Sequence, residues 1–183
     1  MQKIRKLLFP LLLVLAGCAQ TPSDNLAWLD KTQKYSLPSF HCEKLTEKQQ
    51  LLTFHADGKQ LNLIVLTSCD KGRLTVLGLL PTGTRVFTLN KEGDKVTSET
   101  NLPFVSSVNP NQILSDMALS SFVVGDLTSV MPNGYRIRQE GNKRIIVNSE
   151  GDIVEEIVYL DGLKLMQINN PVFDYKISIK SLD

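Results

Sequence analysis

From residue 49 onward, short alternating or wholly apolar runs are separated by breaks rich in Gly and Asp. A period of two sends successive side chains to opposite faces of a strand, so each run reads as a strand and each break as a turn. The first runs are 49–56, 60–68, 73–80, 84–90 and 95–99. They are divided by Asp57-Gly58-Lys59, Asp70-Lys71-Gly72, Pro81-Thr82-Gly83 and Glu92-Gly93-Asp94. Asp-Gly between two such runs is a strong hairpin signal. The pattern resumes over 135–140, 143–148, 153–160 and 163–169. It closes on a run opened by Pro171, in which Phe173, Tyr175, Ile177 and Ile179 alternate with Asp174, Lys176, Ser178 and Lys180. Tight turns join antiparallel neighbours, which predicts a meander of about ten strands.

The period changes once. Asn109-Pro110 matches an N-cap with proline at the first helical position. Ile113, Leu114, Met117, Ala118 and Phe122 then recur at helical spacing, and Asn111, Gln112, Ser115, Asp116 and Ser120 fill the other face. The spacing predicts an amphipathic helix ending near Gly125, its polar side toward water. A second turn is expected over 126–131 before Pro132-Asn133-Gly134.

A twisted sheet of this many strands curls and presents a concave apolar face. The helix has one face that needs cover, and seating it in the concavity buries both surfaces. The predicted fold class is mainly β (α+β): a curved antiparallel sheet forming an incomplete β-barrel with an amphipathic helical lid. The candidate cavity is lined by Leu63, Val65, Leu74, Val76, Phe87 and Leu89 from the first strands, Ile113, Leu114, Met117 and Phe122 from the helix, and Phe173, Tyr175 and Ile177 from the last run. The runs Leu63-Ile64-Val65-Leu66 and Ile145-Ile146-Val147 are apolar on both faces, which fits strands covered on both sides, by protein or by ligand.

The N-terminus reads differently. Lys3, Arg5 and Lys6 precede an apolar stretch over 7–15, followed by Leu15-Ala16-Gly17-Cys18. A basic start, a short apolar core and small residues describe an export signal, and the stretch is too short to span a bilayer, which takes about 20 apolar residues. The tetrad resembles the lipobox of bacterial lipoproteins, which implies lipid attachment and acylation (palmitate) at Cys18 after removal of residues 1–17. In lipoproteins of enterobacterial type an Asp after the cysteine retains the protein at the inner membrane. Ala19 is not that signal, so the resemblance implies the periplasmic face of the outer membrane. An ordinary export signal with a chance cysteine is the alternative. Residues 18–38 read as a tether, with a brief helix over 25–32 carrying Leu26, Trp28 and Leu29; residues 39–183 form the single domain.

Charge brings no nucleic-acid signal. Without Lys3, Arg5 and Lys6 the chain has 17 basic and 19 acidic side chains and no basic stripe. With Cys18 assigned to lipid, Cys42 and Cys69 form an even pair in an oxidising compartment, which favours a disulfide over two buried thiols. His41, Cys42, His55 and Cys69 match no compact metal-ligand spacing. His55 is out of phase with Leu52 and Phe54 and is expected on the solvated side. Glu155-Glu156 and Asp70 read as surface and turn carboxylates. Arg85 is a candidate contact for a lipid headgroup at the rim, or simply an exposed strand residue. No nucleophile elbow, phosphate loop or dinucleotide fingerprint is present. The expectation is a protein that is not an enzyme and takes no cofactor.

The order of elements over about residues 40–183 is similar to the Lol-pathway carrier and its outer-membrane lipoprotein receptor. The chain also resembles an uncharacterised family of small bacterial lipoproteins, often encoded with aryl polyene or other lipid biosynthesis. Gly83-Thr84-Arg85-Val86-Phe87-Thr88-Leu89, the stretch from Pro110 through Leu119, and Tyr175-Lys176-Ile177-Ser178-Ile179 carry that resemblance. That family commonly has Trp-Pro after the helix, where this chain has Ser121-Phe122-Val123. Leu79-Leu80-Pro81-Thr82-Gly83 takes the place, in strand order, of the Lol receptor's protruding apolar loop, but that function is not carried over, because Leu-Pro at a hairpin end is more often a strand terminus than a membrane probe. The resemblance implies an outer-membrane lipoprotein that binds or receives an acyl chain, lipid or lipoprotein in envelope lipid trafficking. The alternative is a structural lipoprotein that contacts an envelope protein partner and carries no lipid cargo.

Overall fold

The computed structural model describes residues 21–42, 44–101, 109–161 and 164–182, with the side chains of 21–23 excepted. The export signal over 1–17, Cys18, Ala19, Gly162 and Leu163 lie outside the described residues.

The strands are β1 (Thr21–Ser23), β2 (Leu26–Trp28), β3 (Lys34–Ser36), β4 (Thr46–Ala56), β5 (Lys59–Asp70), β6 (Arg73–Leu79), β7 (Arg85–Glu92) and β8 (Lys95–Thr100). Helices α1 (Pro110–Ser121) and α2 (Val124–Thr128) follow, then β9 (Arg136–Glu140), β10 (Lys143–Val147), β11 (Ile153–Leu160), β12 (Leu165–Asn170) and β13 (Tyr175–Ser181). One antiparallel sheet of eleven strands has the order β1-β8-β7-β6-β5-β4-β13-β12-β11-β10-β9. The sheet is curved and unclosed, with β1 and β9 at its edges. It is the incomplete barrel that the alternation implies.

Local chemistry sets the register. Asp57 and Gly58 both have positive φ, 50° and 70°, the pair of left-handed residues that a two-residue hairpin turn requires between Ala56 and Lys59. At Gly78 the constraint is space: a Cβ there would lie 2.4 Å from the Phe87 ring opposite it. The last strand begins at Tyr175, not near Pro171. Asn170 Oδ1 accepts from Phe173 N at 3.0 Å and Asp174 takes φ 53°, so Phe173 sits in a turn.

The brief helix expected over 25–32 is corrected. Residues 26–36 form the hairpin of β2 and β3 rather than a helix, and Ala27, Leu29, Tyr35 and Leu37 are buried in the core. Asp30 drives the reversal: its Oδ1 accepts from Thr32 N at 2.7 Å and Gln33 N at 2.8 Å, a side-chain-built turn that competes with helix. Buried Lys91 fixes the hairpin's entry, donating to Asn25 Oδ1 at 2.5 Å and Gly93 O at 2.7 Å.

The core lies on one face of the sheet. Cross-strand pairs place Leu63, Val65, Leu74, Val76, Phe87, Leu89, Ile146, Ile157, Ile168 and Ile177 on that inner face. Among the described residues, no second sheet of comparable size covers it. The hairpin and α1, which pack on each other, share the task. A disulfide joins Cys42 to Cys69, with Cα atoms 5.9 Å apart, and pins the segment after β3 to the end of β5.

Candidate functional site

All the cavity candidates fall in one cluster. Leu63, Val65, Leu74, Val76, Phe87, Leu89, Leu114, Tyr175 and Ile177 are buried within it, and Ile113, Met117, Phe122 and Phe173 are half-buried against it. They form one buried apolar cluster on the inner face of the sheet. Two open clefts are present, one of about 400 Å³ lined by Asp30, Tyr135 and Asn148 among others, and one of about 300 Å³ beside the β4–β5 turn, where His55, Asp57 and Lys176 join Tyr175, the one cavity candidate that borders either cleft.

The helix starts as its sequence directs: Asn109 Oδ1 accepts from Asn111 N at 2.9 Å, with Pro110 at the first position. It ends where Phe122 turns extended, its ring edge-on to Phe40 at 4.9 Å between centroids. The orientation differs from the amphipathic expectation. Asn111, Ser115, Asp116 and Ser120, expected to face water, are buried, while Ile113 and Met117 are only half-buried. The reason is a polar bed assembled by distant strands. Asn111 Nδ2 donates to Leu26 O at 2.9 Å and Asp24 O at 2.6 Å. Ser115 shares a 2.8 Å hydrogen bond with the Tyr35 hydroxyl.

At the centre, the Tyr175 hydroxyl donates to Asp116 Oδ1 at 2.8 Å. Gln112 Nε2 donates to the same oxygen at 3.2 Å. Asn170 Nδ2 reaches both the Tyr175 oxygen, at 3.3 Å, and Glu155 Oε2, at 3.2 Å. Glu155 is 1% exposed, and its Oε1 has no hydrogen-bond partner among the described residues. Burial raises the Asp116 carboxyl to about 7 against the lowering effect of the Tyr175 and Gln112 bonds. Burial, then the charge of Asp116, pushes Glu155 well above the usual carboxylate range, opposed by the Asn170 bond. A neutral carboxyl tolerates such a site far better than a carboxylate.

The C-terminal turn of α1 is held by its carbonyls. The buried Arg144 guanidinium donates to Leu119 O, and its Nε donates to Gln139 Oε1 at 3.0 Å. The Tyr159 hydroxyl donates to Ser120 O at 2.7 Å. These bonds satisfy carbonyls that a helix end leaves open.

Glu155 corrects the reading of Glu155-Glu156 as a surface pair; only Glu156 faces outward, 3.0 Å from Lys143 Nζ. The signal was there: Glu155 is in phase with Ile157 and Tyr159. Arg85 is exposed and 3.7 Å from Glu99. Leu80 is half-buried against the core and does not protrude. His41 and His55 are exposed, and Cys42 and Cys69 are bridged to each other. Among the described residues, no helix is long and apolar enough to cross a membrane, and no three His, Cys, Asp or Glu side chains converge as a metal site would require.

Comparison with known proteins finds no relative among curated proteins. Two solved structures overlap loosely. One is described as an outer membrane lipoprotein-sorting protein domain from Vibrio parahaemolyticus, at 9% identity and TM-score 0.43, covering 76% of this chain and 84% of that one. The other is a DUF1329 family protein from Desulfovibrio piger, at 10% identity and TM-score 0.42, covering 77% and 85%. Likeness at this level decides nothing about ligand or role. A family model, in contrast, matches residues 47–183, and by that match the chain belongs to the DUF3261 family of proteins of unknown function.

Proposed function

We propose that this is a lipid-anchored envelope protein whose open sheet takes an acyl chain, a lipid or the acylated end of a lipoprotein when α1 moves aside. One observation carries the reading: the apolar inner face is covered by a separate helix on a polar, hydrogen-bonded bed. Uncovering apolar surface costs about 25 cal/mol per Å², which an incoming hydrocarbon chain offsets by taking the helix's place. Each buried hydrogen bond contributes only about 0.5–1.5 kcal/mol net, because both partners regain water on separation. A polar bed therefore releases a helix more readily than an apolar contact of the same area. The anchor rests on the Leu15-Ala16-Gly17-Cys18 tetrad, and outer-membrane placement on Ala19. The protein binds and holds; no residue is assigned a chemical step.

The packed state of the candidate residues favours a second reading, an interaction lipoprotein without cargo. Native mass spectrometry of the full chain, extracted from its membrane in mild detergent, separates the two. Lipid adducts, with faster amide exchange in α1 than in β5 on addition of a fatty acid, support lipid binding. Bare protein with no saturable fatty-acid binding, recovered after crosslinking with one stoichiometric protein partner, supports the second reading.

A further inference from the structure

The outer face of the sheet, the side away from α1, carries an apolar stripe that the core does not use. Strand register pairs Leu51 with Ile64 and Ile64 with Leu79, and in the next outward row pairs Leu66 with Leu77. All five are at least partly exposed, Leu51 at 36%. The same rows extend to exposed cations, Lys180 opposite Leu51 and Arg85 opposite Leu79. Three adjacent strands thus present a greasy centre between positive ends. Arg85 shares its charge with Glu99 at 3.7 Å, and Lys180 stands at the other end.

The position of the chain's start names the occupant. β1 lies antiparallel to β8, with Thr21 opposite Ser98 and Ser23 opposite Val96. The chain before Thr21 therefore leaves the sheet at the end where β8 finishes and β7 begins, the end that holds Arg85 and Leu79. Only three residue steps separate Cys18 from Thr21, a reach of at most about 10 Å. β1 and β6 are three strand spacings apart, about 14 Å. A lipid on Cys18 thus brings the bilayer to the stripe's edge, with no long tether between.

We infer that the outer-face stripe of Leu51, Ile64, Leu66, Leu77 and Leu79 rests on the bilayer that holds the anchor, with Arg85 and Lys180 at anionic headgroups. This rests on Cys18 being acylated. The inner face and α1 then point away from the membrane, so cargo reaches the trough from the aqueous side.

The test uses the full acylated chain in vesicles of phosphatidylethanolamine and phosphatidylglycerol, with an environment-sensitive fluorophore on single introduced cysteines. Leu51→Cys and Lys180→Cys report on the stripe; Lys95→Cys and Glu150→Cys report on remote turns. The native disulfide leaves Cys42 and Cys69 unlabelled. Brominated lipids are expected to quench the stripe labels several-fold more than the remote ones, and omitting phosphatidylglycerol is expected to reduce that contrast. The intact mass is read on the same samples. Acylated protein with equal quenching at all four sites overturns the docking face and leaves the anchor standing. Unmodified Cys18 overturns both. Unchanged far-ultraviolet circular dichroism in each labelled variant ties the result to position rather than misfolding.

Discussion

At Gly78 the side chain of a neighbour occupies the place where any larger residue would put its Cβ. The Phe87 ring lies 2.4 Å from that point, and Phe87 is itself 4% exposed, so the ring has little room to yield. Gly78→Ala is expected to cost about 1–3 kcal/mol, the range for overpacking a core. Urea denaturation reads this as a lower midpoint with an unchanged slope. Single residues were also where the sequence misled most. Asp116 belongs, by helical spacing, to a polar face, and nothing local shows that Tyr175 arrives from 59 positions away to meet it. Glu155 was legible, because strand alternation puts it in phase with Ile157 and Tyr159 and puts Glu156 on the other side. The adjacent Glu156 masked it by making the two look like one surface pair.

At the scale of elements, α1 makes its fit to the sheet depend on protons. Asp116 and Glu155 have folded-state pKa values above those of an unfolded chain, so the folded state binds protons more tightly. Their support of the fold is complete below about pH 4; that of Asp116 is lost as pH rises toward 7, where it titrates, and that of Glu155 as pH rises through its own raised value. Tyr35 and Tyr175, which face the same site, are held above their ordinary values by burial and stay neutral across this range. The melting temperature of the wild type is therefore expected to fall between pH 5 and pH 8, and that of Asp116→Asn to fall less. An equal fall in both would remove Asp116 as the cause. Strands and turns were largely legible, because alternation and left-handed turn residues are local. The hairpin of β2 and β3 was not. Leu26, Trp28 and Leu29 suggested a helical face, whereas Ala27 and Leu29, then Tyr35 and Leu37, keep a period of two once Asp30 turns the chain.

For the molecule as a whole, the notable economy is a large sheet with a light cover. The disulfide between Cys42 and Cys69, 27 residues apart, is one of the ties that hold the segment after β3 on that sheet. Closing a loop of that length contributes about 3.5 kcal/mol in the chain-entropy account. Replacing both cysteines by alanine is expected to lower stability by about that amount, measured by denaturant titration, and adding reductant is expected to act on the wild type alone. The overall architecture could be read before any coordinates because hairpin order dictates it. The joint burial of the inner-face side chains with the polar residues of α1 could not, since hollow and packed half-barrels share one pattern of alternation.

The sheet's far edge carries a last consequence. In β9, Arg136, Arg138 and Glu140 are exposed along an outermost strand, and Arg138 and Glu140 form a 4.0 Å ion pair. Open strand edges recruit one another, and charged side chains along the rim discourage that. A bristling border of this kind keeps crowded copies of the protein from zipping into fibrils.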